Sequence, residues 1–117
     1  MKIAQLENHS GNAWANQFVI SFEKYRIDIL QSYKSLVVMI DKNEKHVTLG
    51  EDWDYSKTTL RAVVKFLNDY ADIETNTAEI RKALKSGTIQ SKWCKTPWTI
   101  ATGCADFFED FLRGGEQ

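Results

Sequence analysis

Four soft metal ligands, two carboxylate pairs and one cationic stretch hold whatever chemistry this sequence offers. His9, His46, Cys94 and Cys104 are its only His and Cys residues, and their spacing matches no zinc pattern, in which ligands come in closely spaced pairs. The histidines are expected to be exposed, and the cysteines to be reduced, buried small hydrophobes. Asp52, Asp54 and Ser56 alternate like the opening of a calcium loop, but Val63 stands where the bidentate carboxylate belongs and the turn glycine is missing. No metal and no cofactor is expected. Asp52/Asp54 and Glu109/Asp110 are paired carboxylates, read as solvated surface and not as general acids. There is no glycine-rich phosphate loop, G-x-S-x-G or HExxH, so the chain reads as non-enzymatic.

Two stretches suit binding instead. Glu51, Asp52, Trp53, Asp54 and Tyr55 form an acidic, aromatic turn of the kind that anchors a protein partner, where charge steers the encounter and a large ring fills a pocket. Trp53 is either that anchor or a staple fixing the start of the helix that follows. The alternative is nucleic acid: Arg81, Lys82, Lys85, Lys92 and Lys95 interleave with Trp93 and Trp98, pairing phosphate-neutralising cations with stacking rings. Against it, Glu23, Asp28, Asp41 and Glu44 nearly cancel the cations near the strand ends, and a net charge of −1 gives no long-range field for a polyanion. Further on, Asp106, Glu109, Asp110 and Glu116 turn the chain acidic again.

These residues must be positioned by a sheet followed by helices. Residues 1–12 read as an irregular lead-in broken at Ser10-Gly11-Asn12. Phe18, Ile20 and Phe22 alternate in a strand over 16–23, and Ile27 and Ile29 do so in a second over 25–33. Leu36 to Ile40 is an unbroken apolar run, the mark of a strand covered on both faces. After the turn Asp41–Glu44, residues 46–49 return as a further strand. Asp54 or Ser56 caps a helix running to Ala71, with Leu60, Val63, Val64, Leu67 and Tyr70 at helical spacing. Asn76, Glu79 and Gly87 delimit a second. Ile100, Cys104, Phe107, Phe108, Phe111 and Leu112 predict a third, from the Thr96-Pro97 pair to Arg113. The expectation is one α+β domain over 1–117: an antiparallel sheet of three to four strands over 16–49, packed by about three helices within 54–113.

At 117 residues one core is within reach. Four Trp, four Tyr and six Phe exceed what such a core needs, which places some rings at a binding surface. No apolar run approaches a membrane span and none follows Lys2 as in a signal peptide, so a cytoplasmic protein, monomeric or homodimeric and without a membrane partner, is expected.

GNAWANQFVISF (Gly11–Phe22) and VTLGEDWDYSKTTLRAVVKFL (Val47–Leu67) resemble a group of short proteins carried by phages and other mobile elements of Gram-positive bacteria. The group brings no catalytic residues. The resemblance implies a context in which small α+β proteins bind and block a host macromolecule. With the missing catalytic set and segregated charge, it points to an inhibitor of a bacterial defence system, of anti-CRISPR type, whose partner is a host protein such as a CRISPR effector.

Overall fold

The computed structural model describes residues 1–103. Its elements are β1 (Lys2–Glu7), β2 (Ala13–Phe22), β3 (Ile27–Ser32), β4 (Ser35–Asp41), β5 (His46–Leu49), α1 (Lys57–Ala71), α2 (Thr77–Ser86), β6 (Thr88–Ile89) and β7 (Trp98–Thr102). The strands form one sheet in the order β1-β2-β3-β4-β5-β7-β6. Every pairing is antiparallel except that of β5 with β7.

The fold is α+β in broad outline, but the expected sheet of three to four strands under about three helices is overturned. The described residues hold seven strands and two α-helices. β1 falls in the supposed lead-in because it is an edge strand with Leu6 as its one buried residue, which leaves no alternation to read. β6 is two residues long. At β7 the buried residues are Trp98 and Ile100, with Thr99 and Ala101 exposed: Ile100 follows a period of two beside β5 and does not begin a helix. The rest of the expected third helix, from Cys104 on, lies outside the described residues.

Period-two alternation divides the apolar residues between the sheet's faces. Val19, Leu30, Val38, Ile40, Val47, Leu49 and Ile100 join α1 and α2 in the larger cluster, while Ile20, Phe22, Ile27, Ile29 and Met39 form a second on the opposite face. β4, fourth in the order, serves both. Leu30 pairs with Val38 and Gln31 with Leu36, so Val37 is an extra residue that bulges β4 and also enters the larger cluster. Helix α1 starts where Ser56 Oγ accepts the Thr59 N–H at 3.1 Å, and it buries Thr59, Ala62, Val63, Phe66, Leu67 and Ala71, one stripe at i, i+3, i+4 spacing. Helix α2 starts where Asn76 Oδ1 accepts the Glu79 N–H at 2.9 Å and stops at Gly87, whose φ of 82° suits glycine.

Candidate binding surface

β5 delivers the chain to Gly50, whose N–H bonds the Val37 carbonyl at 2.8 Å across the bulge. A Cβ there would lie 2.5 Å from Leu36 O, so only glycine fits. Two tight turns follow, closed by Trp53 N–H to Gly50 O (3.2 Å) and Tyr55 N–H to Asp52 O (3.3 Å). They send Trp53 inward, 5% exposed, and leave Glu51, Asp52, Asp54 and Tyr55 outside. The Arg81 guanidinium from α2 lies 5.1 Å from the Trp53 ring centre and 3.3 Å from Asp54 Oδ2. Trp53 is therefore not an exposed anchor: its ring is buried, with a cation beside it.

What remains exposed at the turn is organised by the β3–β4 hairpin. Tyr33 sits at its tip with φ 57° and its N–H on Asn16 O at 2.7 Å, which fixes where the ring leaves the backbone. Tyr33, Lys34, Ser35, Asp52 and Tyr55 line a groove of about 400 Å3. Ser35 Oγ donates to Asp52 Oδ2 at 3.2 Å, joining hairpin to turn. Tyr33 is 41% exposed and Tyr55 54%, two amphipathic rings over one recess. Sequence reasoning found Asp52 and Tyr55 but missed Tyr33, Lys34 and Ser35, since only the hairpin brings them together.

The basic residues stand apart from this groove and are largely answered within the chain. Arg81 pairs with Asp54, Lys82 with Glu79 at 3.9 Å and Lys92 with Glu74 at 2.5 Å. The hydrogen bond that the Lys92 ammonium donates to Glu74, reinforced by the carboxylate's charge, holds it above its ordinary 10.5. Lys85 lies in the last turn of α2, and Lys95 is exposed between β6 and β7. Trp93, in the same connection, is 80% exposed, whereas Trp98 is buried in the core.

His46 Nδ1 and Thr99 Oγ1 are 2.6 Å apart, His9 tilts against Trp14, and Cys94 is half-buried. Among the described residues no three His, Cys, Asp or Glu side chains gather around a metal position. Cys104, Glu109 and Asp110 lie outside them. No described helix is long and apolar enough to cross a membrane.

No curated protein and no solved structure matches the chain. Residues 1–83, from β1 through most of α2, match a family of unknown function (DUF8033), and the chain belongs to that family.

Proposed function

We propose that this chain is a non-enzymatic protein-binding domain that meets its partner at the groove between Tyr33 and Tyr55. The carrying observation is the exposure of both tyrosines beside a groove that Asp52 also lines, because Tyr is a common interface anchor and a carboxylate favours a cation from the partner. Glu51 adds a second exposed carboxylate beside it. The resemblance of Gly11–Phe22 and Val47–Leu67 to proteins of mobile elements supports a bacterial cytoplasmic setting and a defence effector as target. CRISPR effectors hold nucleic acid in positively charged channels, and an acidic face with aromatic anchors complements such a wall.

Size-exclusion chromatography and a cleavage assay with guide-loaded Cas effectors test this reading. A co-eluting complex and lost cleavage are expected, both abolished by Tyr33→Ala with Tyr55→Ala. Binding that survives this double change removes the groove, and absence of both effects removes the CRISPR target.

One observation favours a second reading, binding of single-stranded nucleic acid. Trp93, fully presented between Lys92 and Lys95, is placed for a base to stack on. Retention of labelled single strand that weakens with salt and is lost in Trp93→Ala would select it over the first.

A further inference from the structure

A polar row crosses three strands at one end of the helix-bearing face. Lys2 pairs with Ser21 and Ser21 with Asp28, so the three residues sit side by side on β1, β2 and β3. Neighbouring positions on that face carry Val19 and Leu30, which are core. Asp28 interrupts the apolar run Ile27–Leu30 and has a side chain only 9% exposed. Burying a carboxylate is costly unless it is held. Here Ser21 Oγ donates to Oδ1 at 2.6 Å and Lys42 Nζ stands 3.1 Å from Oδ2.

These groups line an open cavity of about 420 Å3, within the range that holds small ligands. Lys2, Arg26 and, from the last turn of α1, Tyr70 also line it. Arg26 is aimed by a backbone φ of 55° and a 3.4 Å bond to Asn43 Oδ1, while among the described residues Lys2 has no carboxylate within ion-pair distance. Burial, and then the Asp28 charge, raise the Tyr70 phenol above 10.0.

We infer that this cavity binds a small organic anion that also carries a hydroxyl group. The lining sets three cations, Lys2, Arg26 and Lys42, against two carboxylates, Glu23 and Asp28, a balance that takes up one anionic group. Each Asp28 oxygen has one donor and room for another. A bare anion would meet that carboxylate as repulsion, whereas a hydroxyl opposite it makes a charge-assisted hydrogen bond. The discriminating group is thus Asp28, and the cations supply attraction.

Amide chemical shifts of the 15N-labelled full chain, followed during titration with glycerol 3-phosphate and lactate, and with propyl phosphate and propionate as the matching anions without a carbon-bound hydroxyl, test the site. Glycerol 3-phosphate or lactate should give saturable shifts centred on Lys2, Ser21, Asp28 and Lys42, with affinity at least about tenfold above that for its hydroxyl-free counterpart, roughly what one additional charged hydrogen bond contributes. Whichever ligand does so identifies the anionic group as phosphate or carboxylate. Asp28→Asn should erase the preference over the hydroxyl-free counterpart, and Lys2→Gln with Arg26→Gln, both exposed and expected to keep the fold by circular dichroism, should weaken binding about tenfold. Equal affinity for the hydroxyl-free counterpart, shifts centred elsewhere, or no saturable shift from either hydroxylated anion would overturn the inference, whatever the stability of Asp28→Asn.

Discussion

The Arg81 guanidinium stands over the Trp53 ring, 5.1 Å from its centre, while its Nη1 reaches Asp54 at 3.3 Å. One side chain therefore ties α2 to the turn ahead of α1. The two partners are expected to contribute unequally. Trp53→Ala removes a buried ring and should cost about 3–5 kcal/mol. Arg81→Ala removes an exposed cation–π contact and an exposed ion pair, and should cost about 1 kcal/mol or less. Urea unfolding of both variants checks this, and equal losses would contradict it.

Gln17 is fully buried on β2, and neither its Oε1 nor its Nε2 has a hydrogen-bond partner. Its cross-strand neighbour Ser32 bonds Thr59 at 2.9 Å. An orphaned buried amide costs roughly 1–3 kcal/mol, so Gln17→Met, close in volume, should raise the unfolding midpoint by an amount equivalent to about 1 kcal/mol. A lower midpoint would show that the amide is satisfied after all.

Gly50 faces the Leu36 carbonyl so closely that Gly50→Ala must push β4 and the turn apart. A loss of about 1–3 kcal/mol is expected, as for other overpacked sites. If the proposed surface is correct, the same change should weaken partner binding, since Ser35 and Asp52 bridge that junction. Thermal unfolding and the binding assay read the two effects separately.

The Tyr70 phenol should titrate above 10.0. Because folding raises this value, the neutral form is favoured: its contribution to stability is complete below 10 and is lost as pH rises through the folded value. The absorbance difference at alkaline pH between wild type and Tyr70→Phe isolates the group. Asp28→Asn should move it back toward 10.0, and an unchanged titration would mean that burial, the largest cause, together with the Asp69 and Glu7 charges accounts for the shift.

Legibility in the sequence followed how local each signal was. The cap Asn76, the stop at Gly87 and the meander from Phe18 to Leu49 could be read, and the first cap narrowed to Asp54 or Ser56, of which the structure uses Ser56, because these signals depend on neighbours within a few residues. β1 and β7 could not. β1 is an edge strand, and β7 takes its place from β5, half the chain away. At the candidate site Asp52 and Tyr55 were visible as an acidic aromatic turn. Tyr33 gave no signal, because its relevance depends on where a hairpin tip folds. Trp53 carried the right residue type for an anchor, but the direction of its side chain was settled by two turn hydrogen bonds that composition does not encode. Asp28 was legible in principle, as a carboxylate inside an apolar strand.

The parallel pairing of β5 with β7 has a consequence for how the molecule is made. Strands β1 to β5 pair with their neighbours in sequence and can zip up locally, whereas β5 keeps an open edge until residues 98–102 arrive. At ribosomal speeds of about 5–20 residues per second, the roughly fifty residues between them correspond to a delay of about 3–10 s. Throughout that interval Val47 and Leu49 border unpaired backbone, open to a strand from any nearby chain. Exchange of β7 between nascent copies is accordingly the misassembly to expect when expression is strong.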